Sequence, residues 1–352
     1  MKKKELEKYL QEFEKDIELK KLDDISTLEI KFWQCEDRDE DLAQKFGKTL
    51  VQLLLKSNNI DLIKKIVTSL KKLYQDYLKN ENIALLYSVG LFNLSFAQSD
   101  LDSKSKTISQ LGKLHSSFPI SEGIGLAYTK GLFNLSNAQS DLDLKSRTIS
   151  QLGKLHSSFS TSERIGLAYA KGLFNLSENQ LDLYSLKGTI SQLEKLHISF
   201  PTREEIGFEY AKGLVNLSAK QSDLDSIKGT ISQLGKLHAS FSTSEGIGLA
   251  YAKGLFNLSN AQSDLDLKSR TISQLGKLHA SFSTSEAIGS VYASGLVNLS
   301  ANQSDLDLKS RTISQLGKLH TSFSNSKNIV IYYIMGLWNI VDFLNHEKNY
   351  LN

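Results

Sequence analysis

The sequence predicts an all-α protein, an α-solenoid of stacked helix-turn-helix repeats. Three observations predict it: a fixed repeat length, helical spacing of apolar residues within each repeat, and capping residues at matching places. The string Gly-Leu-Phe-Asn-Leu-Ser begins at Gly90, Gly131, Gly172 and Gly254, its Val variant at Gly213 and Gly295, and a drifted copy at Gly336. Taken in chain order, every interval is 41. Weaker traces run backwards, with Thr49 lying 41 before Gly90, and Val67, Leu70 and Leu73 lying 41 before Ile108, Leu111 and Leu114. Helical hairpins of this period bury their apolar faces only by stacking on neighbours.

Residues 2–20 form a charged amphipathic stretch, with Leu6, Leu10, Phe13 and Ile17 on one helical face. Residues 21–38, with Phe32 and Trp33, connect it to the array and are expected to include another short helix. Residues 1–38 are therefore read as N-terminal capping helices, 39–325 as seven 41-residue repeats, and 326–352 as a C-terminal capping helix and tail.

The units start at Asp39, Asn80, Ser121, Ser162, Arg203, Ser244 and Ser285, and a partial eighth opens at Ser326. Ser, Asp and Asn offer a side-chain oxygen to the free amides of a first helical turn, and Arg203 is the exception. Glu follows at once in all seven full units, where the positive end of the helix dipole favours it. In the third unit helix A runs from about Glu122 to Asn137. Ser140-Asp141-Leu142-Asp143 then announces helix B, whose Leu142, Ile149, Leu152, Leu155 and Phe159 keep helical spacing.

The A–B hairpin, with small residues at helix contacts and Pro119 or Pro201 after helix B, resembles the tetratricopeptide repeat. That family's small helix-A residue falls on Ala211 and its capping proline on Pro201. Its early aromatic falls on Gly207, and its two small helix-B positions fall on Thr189 and Leu196, so those parts of the motif are not kept. The family's usual period is 34, and the seven extra residues are expected in a longer helix A and A–B turn. HEAT-like packing is the alternative architecture. The resemblance implies a binding scaffold.

Net charge is +3, from 42 basic and 39 acidic side chains, which gives no electrostatic argument for nucleic acid or membrane. A single cysteine, Cys35, excludes an internal disulfide framework and a cysteine-based zinc site. Residues 1–20 carry charge throughout, with no apolar signal-peptide core, and a cytoplasmic location is expected.

Stacking turns each repeated position into a ladder. Ile124, Tyr128, Gly131, Leu132 and Leu135 share a face that reads as core, and the mid-helix glycine, costing about 1 kcal/mol relative to Ala, marks a close helix crossing. Helix-B glycines such as Gly112 and Gly153 read differently, because Glu194 takes that slot in one unit, so the site can face water and needs no special backbone. Six histidines, His115, His156, His197, His238, His279 and His320, sit near helix-B ends and read as structural. Neighbouring helices lie about 8–10 Å apart, too far for these imidazoles to share a metal ion.

The other side of helix A carries the candidate binding residues. A lysine row comprises Lys130, Lys171, Lys212 and Lys253, and an asparagine row comprises Asn93, Asn134, Asn175, Asn216, Asn257 and Asn298, with Phe133, Phe174 and Phe256 beside them. Asn is a mediocre helix residue, so its retention mid-helix asks for a reason. One reading is a row of amides and ammonium groups that hydrogen-bonds an extended peptide; the other is that each Asn ties neighbouring A helices together. The lysines are either part of that row or simply solvated.

The C-terminal segment also has two readings. It is a tightly docked last helix, or Tyr332, Met335 and Trp338 form a patch for a partner or for self-association. Sixteen residues from Ile329 to Leu344 are too few for a membrane span of about 20. Gly47-Lys48-Thr49 lacks the first glycine of a phosphate-binding loop, since Leu42 stands there, and no asymmetric catalytic constellation stands apart from the repeat. The expectation is a non-enzymatic protein–protein interaction scaffold, without cofactor or metal, that binds an extended peptide or partner protein along its helix-A face. Alternatives are a protein that follows a nucleic-acid backbone through its lysine row, and an assembly or spacer subunit that touches partners only through its ends.

Overall fold

The structure is a computed structural model that describes residues 1–18 and 25–350. The described residues form seventeen helices and no strand. Two helices, α1 (Lys3–Glu18) and α2 (Ile25–Trp33), precede the pairs α3 (Glu40–Lys56)/α4 (Ile60–Asp76), α5 (Glu81–Ala97)/α6 (Leu101–Ser117) and α7 (Glu122–Ala138)/α8 (Leu142–Ser158). Then come α9 (Glu163–Asn179)/α10 (Leu183–Ser199), α11 (Glu204–Lys220)/α12 (Leu224–Ser240), α13 (Glu245–Ala261)/α14 (Leu265–Ser281), α15 (Glu286–Asn302)/α16 (Leu306–Ser322), and a last helix α17 (Lys327–Tyr350). These are regular stacked helix pairs, the solenoid class the period predicts. Both helices of the third pair have 17 residues and are joined by residues 139–141, so the long period lies in two equal helices rather than in the A–B turn.

The chain divides into two compact units, Met1–Gly172 and Leu173–Asn352. In the first, α5 packs against α3, α4, α6 and α7; in the second, α13 packs against α11, α12, α14 and α15. Both α5 and α13 thus touch the A helices on either side and two B helices. Such sharing requires small residues at the crossings, and the mid-helix glycines supply them. A Cβ on Gly131 would lie 2.5 Å from Ile108 Cδ1, and one on Gly254 would lie 2.6 Å from Leu234 Cδ1.

Polar ties hold each hairpin and join it to the next. Asp141 caps helix B by accepting from Leu144 N at 2.8 Å, and Thr148 Oγ1 donates to Gln139 Oε1 at 3.0 Å, clamping the A–B turn. The Thr–Gln clamp recurs at Thr107–Gln98, Thr230–Gln221, Thr271–Gln262 and Thr312–Gln303. The leading Glu of a unit does more than favour the helix dipole. Glu122 accepts from Ser162 Oγ at 2.6 Å, Glu245 from Ser285 Oγ at 2.6 Å, and Glu40 from Asn80 Nδ2 at 3.0 Å, each partner being the first residue of the following unit.

At the N-terminal end Leu6, Leu10 and Phe13 are buried as the amphipathic pattern requires, whereas the side chain of Ile17 lies outside the described residues. Phe32 stacks on Phe46 with ring centroids 4.0 Å apart, and Cys35 is buried. Among the described residues no helix is long and apolar enough to cross a membrane.

Candidate functional site

Within Leu173–Asn352, side chains of α9, α11 and α13 enclose a cavity of about 210 Å³ on the helix-A side. Phe174, Phe208 and Leu249 supply apolar walls, Lys212, Lys253 and Asn216 supply polar ones, and Glu178 is among the remaining lining residues. Phe174, Lys212, Asn216 and Lys253 thus line one cavity.

Lys212 is unlike the other rungs. Its Nζ lies 2.7 Å from Glu209 Oε2, and the two side chains are 28 % and 7 % exposed. The same ammonium sits 3.7 Å above the Phe174 ring and 5.0 Å from the Phe208 ring. A carboxylate so far out of water needs its cation, and the aromatic faces hold that cation in place. Lys253, Lys171 and Lys130 are exposed, Lys130 lying 5.7 Å from the Phe92 ring of the preceding A helix. Phe133, Phe174 and Phe256 are all half-buried.

The asparagines act in part as ties. Asn216 Nδ2 donates to Ser177 Oγ at 3.1 Å, Asn257 to Ser218 Oγ at 2.9 Å, and Asn339 to Ser300 Oγ at 2.8 Å. Each of these serines in turn donates to a carbonyl of its own helix, Ser177 to Phe174 O at 2.7 Å. Asn298 instead reaches Asn260 Oδ1 at 3.0 Å, and Asn93 bonds Val89 O in its own helix at 2.8 Å. Asn134 and Asn175 are half-buried at the equivalent positions. A tie through Nδ2 does not consume the amide. Asn216, one of the residues lining the cavity, keeps an amide oxygen able to accept.

On the opposite side the helix-B glycines are half-buried, and some of them sit close against a tyrosine. A Cβ on Gly153 would lie 2.7 Å from the Tyr169 hydroxyl, and one on Gly276 2.8 Å from that of Tyr292, so the glycine admits the tyrosine of the next A helix. Where Glu194 takes the slot, burial and the negative charge of its carboxylate push the Tyr210 hydroxyl well above the usual range. A cavity of about 230 Å³ opens there, lined by Glu194, His197, Tyr210 and Lys236 among others. A cavity of about 400 Å³ occupies the corresponding place at Lys71, Tyr74 and Tyr87, where burial pushes the Tyr87 hydroxyl up to about 12. A larger one, of about 720 Å³, lies between α2 and α4, with Lys72 Nζ 3.8 Å above the Trp33 ring.

The histidines pack between rings. His238 lies 5.7 Å from Tyr251 and 5.8 Å from Phe282, and His279 lies 5.9 Å from both Tyr292 and Phe323. Burial holds the imidazoles of His115, His156, His197, His238 and His279 below their ordinary value, Glu194 opposing the shift at His197. Among the described residues no group of three or more His, Cys, Asp or Glu side chains could hold a metal ion.

Met335 and Trp338 lie exposed on α17, while Tyr332 is half-buried beside them. Sequence reasoning missed Phe208 and Glu209. The signal was present as a break in the repeat, for Glu209 stands where other units carry Ala127, Ala168 and Ala250, and Phe208 where they carry Leu126, Leu167 and Leu249.

No protein-family model matches the chain. No curated protein matches it either. Among solved structures the chain is similar to the apo form of RapI, with 13 % identity and a TM-score of 0.45 over 95 % of this chain and 97 % of that one.

Proposed function

We propose that the protein is a non-enzymatic interaction scaffold of tetratricopeptide-like helix pairs whose helix-A side binds an extended peptide segment of a partner protein. The observation that carries this reading is the cavity at α9, α11 and α13, which Phe174, Phe208 and Leu249 line together with Lys253 and Asn216. Such a site fits an apolar side chain flanked by a carboxylate or backbone carbonyl for Lys253 and a backbone N–H for Asn216. Asn175, Asn257, Asn298 and Phe256 carry the same residue types on the A helices of Leu173–Asn352, and Lys130, Lys171, Asn93, Asn134 and Phe133 carry them within Met1–Gly172. Glu209 neutralises Lys212 in the middle of the lysine row, and this favours a peptide over a phosphate backbone.

Selection from a displayed library of random peptides tests the reading. Enriched sequences should pair an acidic with an apolar residue, and Lys253→Glu together with Leu249→Asp should abolish the enrichment at equal helix content. Identical enrichment by that double variant, or capture of nucleic acid with steep salt dependence in place of peptide, would refute it.

A further inference from the structure

Interior A helices meet along a seam of small residues. Ala211, Ala252 and Ala293 are fully buried, and Ser218, Ser259 and Ser300 nearly so, because the next A helix lies against them. The next helix also needs the serine hydroxyl, since Asn257 and Asn339 donate to Ser218 and Ser300. On α17 these two seam positions carry Ile334 and Val341. Branched side chains hold a following helix too far away, and Val341 offers no oxygen to an asparagine. Another unit of the same kind cannot dock on α17 in the interior register.

Nor is this face of α17 polar. Trp338 is 68 % exposed, Ile334 59 %, Ile331 53 %, Val341 47 % and Met335 46 %. With Leu337 and Leu344 at its edge, seven large apolar residues are exposed together on one helix, the kind of contiguous patch that marks an interaction site.

We infer that α17 pairs antiparallel with α17 of a second copy, making a two-fold dimer. Helical periodicity places Lys327, Ile331, Ile334, Trp338 and Val341 on one stripe, with Asp342 beside it. An antiparallel pair centred between Ile334 and Met335 sets Ile331 against the partner's Trp338. In that same register Lys327 faces the partner's Asp342. Both charges are exposed in the single chain, Asp342 with His346 at 3.9 Å, and two-fold symmetry uses each pair twice. A parallel pair would bring Lys327 against Lys327 instead.

Sedimentation of the full chain across about 1–100 µM reads the dimer directly. The expected result is a monomer–dimer equilibrium that Trp338→Ala weakens roughly tenfold or more. Ile334→Ala with Val341→Ser, which restores the interior residues, should weaken it as well at unchanged circular dichroism. Lys327→Asp should loosen the dimer, and adding Asp342→Lys should recover it. A monomer at the highest concentration, a dimer indifferent to Trp338→Ala, or failure of the double charge reversal to recover association would overturn the inference. Assemblies that keep growing with concentration would overturn it too, since they mean head-to-tail contact.

Discussion

At the slots where α13 carries Leu249 and Ala250, α11 carries Phe208 and Glu209. The two helices otherwise do the same work: Gly213 and Gly254 sit against Ile and Leu of the preceding B helix, and Asn216 and Asn257 tie back to a serine of the preceding A helix. The cavity lies against both helices, but α11 brings the departures to it: Phe208 and Lys212 line it together with Leu249 and Lys253 of α13, and Glu209 holds Lys212 from behind. A second cavity, at Glu194 and Tyr210, opens where Glu194 departs from the repeat. Repetition builds the stack, and departures from it build individual surfaces.

The largest test of this contrast is Lys212→Met. It strands the Glu209 carboxylate, and a loss of about 2–3 kcal/mol is expected, below the roughly 3–5 kcal/mol of a fully buried pair because Lys212 is partly exposed. Glu209→Ala in the same chain, which restores the α13 residue, should recover most of it in urea unfolding. A Lys212→Met chain as stable as the parent would show that the pair is solvated.

Next in size are the glycines. Gly131→Ala should destabilise by about 1 kcal/mol, because overpacking against buried Ile108 outweighs the helix-propensity gain. Gly188→Ala has nothing within 4 Å of the new methyl and should stabilise by about 0.5–1 kcal/mol. Equal shifts in the two thermal midpoints would erase the distinction between crossing and surface glycines. Asn257→Ala, which removes the tie to Ser218, should cost about 0.5–1.5 kcal/mol in the same assay.

The smallest effect per residue is that of pH. Buried imidazoles with depressed values bind fewer protons folded than unfolded, so stability rises with pH through that window. It should be level above about pH 7 and fall as pH drops below the unfolded value of 6.5 toward the lower folded values of His115, His156, His238 and His279. His238→Leu should make the slope of the thermal midpoint between pH 7 and 5 shallower. A slope unchanged by that variant would place the titrating groups elsewhere.

Several features were legible before any coordinates. Helix starts at Asp39, Asn80 and Asp141 follow from side chains that cap amides two or three residues on, and the Gly131-type crossing follows from a residue whose cost demands close contact. The close tyrosine contact at Gly153 and Gly276 was not legible, because the ring that meets each glycine comes from the next helix. For the same reason the asparagine row stayed ambiguous, its serine partners lying 39 residues away. Glu209 was visible only as an odd residue, with no way to know that it turns toward Lys212 and two aromatic rings.

The amino-acid order by itself determined the helices, their ends and the 41-residue translation between units, because propensity, caps and apolar spacing act over a turn or two. Only the packed structure decided which ladder residues join neighbours, which line a cavity and which remain exposed on α17. Those outcomes depend on how closely one helix approaches the next, and that distance is set by side chains a full unit apart.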